Sequence, residues 1–314
     1  MPENSGVAGI RSATVVGGGV IGASWAALFL ARGLSVTVSD PQAGVDEAVR
    51  RTIAEASPTL RALGLETSRL TADLSFEPDL AAAVRTAGVV QENGPERLEV
   101  KHEMWRVIEA NAPADALFTS STSGIPATEI ATVLKAPERL VIGHPFNPPH
   151  LVPLVEVVPG EQTSMETIER ARAFYLGLGK RPQVLRKEVP GFVANRLQAA
   201  MFRECVHLVS EGVVTMQELD DIVTSSIGQR WAGTGPFRSF HLGGGEGGLA
   251  HFMDHLGVGM ERRWAAMVKE DVAFDDSTKQ LLNEQAKDFG GTIDELATER
   301  DRAQIAVMRA LGDG

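Results

Sequence analysis

Apolar positions along the first part of the chain fall in two alternating rhythms. ATVVGGG at residues 13–19 reads as a buried strand, and Val20 to Arg32 carries helical spacing that Gly33 ends. A second strand is expected at Leu34–Ser39, closing at Asp40, so that the opening forty residues form a βαβ unit. Helical patterns near 43–63 and 77–86 precede further strand-like runs at 88–91 (GVVQ), 116–120 (ALFTS) and 139–143 (RLVIG). Strands alternating with helices predict an α/β fold: a Rossmann-type, doubly wound, mainly parallel sheet. From Phe192 onward the rhythm is helical only, with Leu197, Met201, Cys205, Leu208 and Val213 at helical spacing. A glycine-rich break at 243–248 and an amphipathic tail at 292–311 complete the pattern. The expected organisation is an N-terminal domain over residues 1–188 and an all-helical C-terminal domain over 189–314.

Composition narrows the function classes. With 314 residues, 43% hydrophobic and 23% charged, the chain has the make-up of an ordinary soluble protein of two domains. Its formal net charge of -11 argues against nucleic acid or an anionic membrane as a partner, because both are bound by basic surfaces. The single Cys205 excludes an internal disulfide framework and a cysteine-based zinc site, and no metal is expected. MPENSGVAGIRS lacks a basic start followed by an apolar core, and no apolar run reaches membrane-spanning length. A cytoplasmic location is the expectation.

Gly17, Gly19 and Gly22 form G-x-G-x-x-G between a strand and a helix. In this context the first glycine permits a tight turn, the second lets backbone approach a pyrophosphate, and the third allows close helix–strand packing. The helix N-terminus offers free N–H groups and the positive end of its dipole. Gly17, Gly19, Val20, Ile21 and Gly22 are therefore expected to line a dinucleotide. Asp40, at the end of the second strand, is placed to accept hydrogen bonds from the adenosine ribose. A 2′-phosphate there would meet like charge, and Pro41-Gln42 supplies no arginine to offset it. The expected cofactor is NAD rather than NADP.

In VIGHPFNPPHLVPLVEVV, residues 141–158, period-2 alternation puts Glu156 on the apolar strand face of Leu154 and Val158. A carboxylate buried there costs several kcal/mol unless paired, on the order of the penalty for an unpaired buried polar group. His144 lies at the other end of the proline-rich turn. If the turn folds the chain back, the two can pair as a general base, with its usual pKa of about 6.5, and the carboxylate that orients it. Taken alone, His144 reads as a core or turn histidine. Ser123 alone reads as a helix N-cap, since a helical pattern follows Gly124-Ile125-Pro126, and Asn195 as a solvent-facing helix residue.

These elements together resemble the L-3-hydroxyacyl-CoA dehydrogenase superfamily. GHPFNPPHLVPLVEVV looks like its catalytic segment, SSTSG at 120–124 like its S-x-T-S element, and GFVANR at 191–196 like its G-F-V-x-N-R element. The resemblance runs from Ala13 to about Phe240 with the motifs in order. It implies an NAD-dependent dehydrogenase with His144 as base, Glu156 as its orienting partner, and Ser123 and Asn195 as contacts to the reacting oxygens. It also implies that Asn147, and Glu96 with Lys101 in PERLEVK, line the cofactor, and that the second domain forms a homodimer.

Two features bear on the substrate. Residues 41–100 contain no lysine, whereas CoA-using members of the superfamily place basic contacts in that excursion. GQRWAGTGPF at 228–237 puts Arg230 and Trp231 before a turn, and a guanidinium can hold a free carboxylate through a bidentate pair. This element, GGGEGG and the helical tail resemble the short free-acid branch, which includes L-carnitine dehydrogenase and lambda-crystallin, an L-gulonate 3-dehydrogenase. Trp231 or Glu246 could meet a trimethylammonium group, although a Trp beside Arg is more often a packing residue. The expected reaction oxidises the 3-hydroxyl of a small free L-3-hydroxy acid. The alternatives are a CoA-thioester dehydrogenase and a crystallin-like NAD-binding protein without turnover.

Overall fold

A computed structural model describes residues 7–68 and 70–312. The first unit is built on β1 (Ser12–Val16), α1 (Val20–Ala31), β2 (Ser35–Ser39) and α2 (Val45–Ala62). After β3 (Leu74–Phe76) and α3 (Leu80–Ala83) come β4 (Val89–Glu92), α4 (Leu98–Asn111), β5 (Leu117–Ser120) and α5 (Ala127–Ala131). The unit closes with β6 (Leu140–Pro145), β7 (Leu154–Pro159), α6 (Met165–Gly177) and β8 (Arg181–Val184). The eight strands form one sheet in the order β3-β2-β1-β4-β5-β6-β7-β8. All neighbours pair in parallel except β6 with β7, which are antiparallel.

Both faces of this sheet are covered, which explains why its strands read as apolar runs rather than alternating ones. Successive side chains enter opposite cores. Val15, Val89, Leu117, Val141 and Val157 join α1, α2 and α6 on one face. Val16, Val90, Phe118, Ile142 and Val158 join residues of α4 and α5 on the other. The first strand ends at Val16 rather than at the last glycine of ATVVGGG, because Gly17 turns out of the strand at φ +91°. β3 and β8 carried little hydrophobic signal. β3 is three residues long, and β8 is an edge strand, RPQV, with only Pro182 buried.

The second unit is helical. It comprises α7 (Ala194–Ser210), α8 (Met216–Ser225), α9 (Ile227–Thr234), α10 (Pro236–Gly243), α11 (Gly248–Phe252), α12 (Val258–Met267), α13 (Asp276–Gln285) and α14 (Ile293–Ala310). The compact units divide between Arg196 and Leu197, within the first turn of α7, so that the motif GFVANR with its Asn195 lies with the sheet. Capping boxes at Thr215–Glu218 and Thr292–Glu295 start α8 and α14. No helix among the described residues is long and apolar enough to cross a membrane.

Candidate active site

The sheet order reverses direction between β1 and β4, and a crevice opens beyond the carboxyl ends of strands at such a point. The turn from β1 into α1 stands there. A Cβ on Gly17 would lie 2.7 Å from the Asn93 carbonyl oxygen, and one on Gly22 would lie 1.9 Å from the Gly17 carbonyl oxygen. Those two glycines are dictated by packing. Gly19 differs: nothing lies within 4 Å of the corresponding point, so the space outside its backbone is open. The first turn of α1 has no side-chain cap and no acidic residue, and Val20 is exposed. Its N–H groups and dipole suit a pyrophosphate. Asp40 closes the crevice on the β2 side. One carboxylate oxygen accepts from the Gly18 N–H at 2.8 Å and the other from the Gln42 N–H at 2.9 Å. Each oxygen keeps a further lone pair for a ribose hydroxyl. This glycine turn, open at Gly19 and flanked by a fixed carboxylate, fits NAD.

At the carboxyl ends of β4 and β5 lies a second layer of polar groups. Glu96 sits in the loop before α4, and its Oε1 accepts from Thr122 Oγ1 at 2.5 Å, the Ser123 N–H at 3.0 Å and the Gly124 N–H at 2.8 Å. Burial alone would raise the Glu96 pKa, but the Thr122 and Gly124 hydrogen bonds, Lys101 and Ser123 outweigh it and hold the carboxyl below its usual value. Glu96 thus shapes the loop that exposes Ser123. Ser123 is not a helix cap, since α5 starts after Pro126. Lys101, expected from the motif beside the cofactor, lies beneath this loop. It is fully buried, its Nζ donates to Glu92 at 2.8 Å, and it stands 3.6 Å from Glu96. Glu92 also accepts from Ser120 Oγ at 2.5 Å and the Gly94 N–H at 2.6 Å. Lys101 therefore supports the loops under the crevice from below.

The β6–β7 hairpin carries the remaining groups. Its antiparallel register sets His144 directly opposite Glu156. Both are buried, and His144 Nδ1 lies 2.9 Å from Glu156 Oε2. The other oxygen, Oε1, accepts from the N–H groups of Val193 and Ala194, at 3.0 and 2.9 Å, where α7 begins. Burial pushes the Glu156 carboxyl up, while the bonds from His144, Ala194 and Val193 pull it down further, so that its pKa lies below the ordinary value. An ionised carboxylate only accepts hydrogen bonds, so Nδ1 carries the proton and the lone pair falls on Nε2. The imidazole is walled by Phe146 and Phe192, with ring centroids 5.1 and 5.3 Å away.

Three supporting groups were not legible beforehand. Gly191 and Phe192 both adopt left-handed backbone, with φ +74° and +50°. This turn aims the next two N–H groups at Glu156, and a bulky residue rarely takes such a φ. Ser24 of α1 accepts from the His150 N–H at 3.0 Å and pairs with its Nδ1 at 2.8 Å. Lys180, between α6 and β8, is buried and donates to the carbonyls of Pro149 and Val152. Burial, with Arg32 nearby, pushes its ammonium down to about 7. A buried lysine held by carbonyls has no sequence signature.

The sequence-predicted residues fall into groups. His144 and Glu156 are in contact, Asn195 follows Ala194 at the start of α7, and Asn147 is exposed in the hairpin loop. Ser123 and Glu96 share one loop network. Arg230, exposed, and Trp231, half-buried, are on α9 in the helical unit.

Residues 12–189 match the NAD binding domain of 3-hydroxyacyl-CoA dehydrogenase, and residues 191–282 match its C-terminal domain. The chain belongs to the 3-hydroxyacyl-CoA dehydrogenase family. It is an NAD-dependent dehydrogenase. It is 42% identical to an L-carnitine dehydrogenase of Streptomyces coelicolor over 317 residues, covering 99% of this chain and 96% of that one. A Gibberella moniliformis protein named 3-hydroxyacyl-CoA dehydrogenase is 40% identical over 306 residues, covering 96% of this chain and 95% of that one. Among solved structures, 5-formyl-3-hydroxy-2-methylpyridine 4-carboxylic acid 5-dehydrogenase, described as an NAD+ dependent dismutase, aligns with a TM-score of 0.74. It is 31% identical and the alignment covers 96% of this chain and 99% of that one.

Proposed function

We propose that this dehydrogenase oxidises the 3-hydroxyl of a small free L-3-hydroxy acid, of the L-carnitine type, to the 3-keto acid. The observation that carries the chemistry is the His144–Glu156 pair, with the carboxylate fixed on both oxygens. His144 Nε2 takes the hydroxyl proton as the C3–H bond breaks and the carbonyl forms. Bound NAD+ supplies the acceptor for the hydride that leaves C3. Glu156 stabilises the imidazolium that results and keeps the ring from rotating. Ser123 and Asn195 are assigned to the reacting oxygen, as hydrogen-bond donors that strengthen as charge develops there. Gly17, Gly19, Val20, Ile21, Gly22 and Asp40 hold the cofactor, with Asn147 and Glu96 beside it.

The free-acid reading is supported by relatives named L-carnitine dehydrogenase at about 40% identity over nearly the whole chain, including one from Pseudomonas putida. It is supported too by the absence of lysine from residues 41–100. Arg230 is assigned to the substrate carboxylate and Trp231 to the substrate's other end, on their chemistry and motif. A relative named 3-hydroxyacyl-CoA dehydrogenase keeps the thioester as a second reading. A homodimer belongs to the same proposal: Leu197, Met201 and Phe202 leave apolar surface on α7. Elution as a monomer on sizing would remove it. The substrate test is NAD+ reduction with L-carnitine, L-gulonate, L-3-hydroxybutyrate and L-3-hydroxybutyryl-CoA. Turnover of a free acid, carnitine foremost, is expected; turnover of the thioester alone would overturn the reading.

A further inference from the structure

We propose that Lys180 is a positioning residue for the reaction, holding the hairpin loop that carries Asn147 and joins His144 to Glu156. The inference rests on the assignment of His144 and Asn147 above. Residues 146–153 connect β6 to β7, and the loop turns on itself through Leu151 and Val152 N–H bonds to the Pro148 carbonyl. Its outward carbonyls, those of Pro149 and Val152, both point to one ammonium. Lys180 is 5% exposed, and no acidic group among the described residues pairs with it. A buried lysine without a carboxylate is costly, and a simple packing role would be filled better by Met or Leu. What the ammonium adds is a three-donor head that can fix two carbonyls at once.

The loop is held from its other side as well. Ser24 of α1 binds His150 through both the main-chain N–H and the ring. Lys180 Nζ stands 5.8 Å from the ring centroid of Trp25, the next residue of α1. The Arg181 N–H donates to Pro153 at 2.8 Å, one residue before β7 begins. The loop beside the base is thereby fastened to the same helix whose N-terminus meets the cofactor. A loop fixed in this way sets His144 and Asn147 relative to the glycine turn, and small misplacements of reacting groups are expensive in rate.

The test compares wild type with Lys180→Met and with Lys180→Gln, whose amide keeps two N–H donors without charge. The control is Leu60→Ala, a core change remote from the loop, matched for its loss of Tm. Turnover is measured with NAD+ and L-carnitine, or with whichever of the four screened compounds is turned over fastest. Hydrogen exchange of the peptide spanning 146–153 is followed in parallel. Lys180→Met is expected to lower kcat by about ten- to a hundredfold with KM for NAD+ nearly unchanged, and to speed exchange in that peptide alone. Lys180→Gln should recover part of both. A kcat within about twofold of the control, or unchanged exchange in the loop, overturns the proposal. If wild type turns over none of the four, the functional reading fails and the exchange result alone decides this one. Should Lys180→Met not fold, Lys180→Gln against the control gives the same decision.

Discussion

His144 and Glu156 face each other across an antiparallel strand pair, joined by a 2.9 Å contact, and the carboxylate is tied to a helix start through its second oxygen. In the proposed mechanism this hairpin carries the base and its orienter in one element. Its consequence is that neutralising Glu156 should damage the base without removing it.

In Glu156→Gln an amide N–H group can face Nδ1. The ring then relieves the donor–donor clash by moving its proton to Nε2, where the base must be empty. We expect kcat to fall by about 10²–10⁴-fold with cofactor affinity retained, and near-normal kcat would exclude the pairing as a working part. Stability gives an independent check. The Glu156 pKa is lower in the folded state, so its contribution is present above the unfolded value of about 4.3 and is lost as pH falls through the folded one. The stability gap between wild type and Glu156→Gln in denaturant titrations should narrow on acidification, and a gap that widens contradicts the assignment.

Much of this hairpin was legible in the sequence because burial and alternation act locally. Glu156 stood out as a carboxylate among apolar residues, and His144 as a candidate partner if the turn folds the chain back. The βαβ unit was legible for the same reason, since fully buried strands are apolar throughout. What could not be read depends on main-chain direction. Nothing in GFVANR shows that Phe192 takes a left-handed turn so that Val193 and Ala194 point at Glu156. Nothing in PERLEVK shows that the fold buries Lys101 against Glu92. Sequence order also gave no warning that Thr122, rather than Ser123, spends its hydroxyl on Glu96.

Asp40 braces the glycine turn through Gly18, and the proposed cofactor site assigns it to the adenosine ribose. Asp40→Ala should weaken NADH binding about ten- to a hundredfold, the equivalent of ~1.5–3 kcal/mol for hydrogen bonds to a charged group. NADH fluorescence titration measures it. Undiminished affinity would place the ribose elsewhere.

Arg230 is tested by separating charge from shape. Arg230→Met should raise KM for a free 3-hydroxy acid by about tenfold or more and leave its neutral methyl ester almost unaffected, because only the carboxylate uses the guanidinium. Equal effects on acid and ester would remove Arg230 from substrate binding.

The buried ammonium of Lys180 makes a distinct pH prediction. Its folded pKa of about 7 lies below the unfolded value of about 10.4, so the unfolded chain binds more protons between them and stability rises with pH across that window. Below pH 7 the full penalty of the buried charge applies. Relative to Lys180→Met, wild type should therefore gain stability from about pH 7 to about pH 10 in parallel denaturant titrations. A constant difference across that range would mean that the group does not titrate as its burial requires.

The most direct test of the account is the turnover of His144→Ala with NAD+ and the best free 3-hydroxy acid, measured beside its affinity for NADH. Loss of the base should reduce kcat by about 10²–10⁴-fold while NADH binding stays close to that of wild type. Near-normal turnover by His144→Ala would contradict the mechanism.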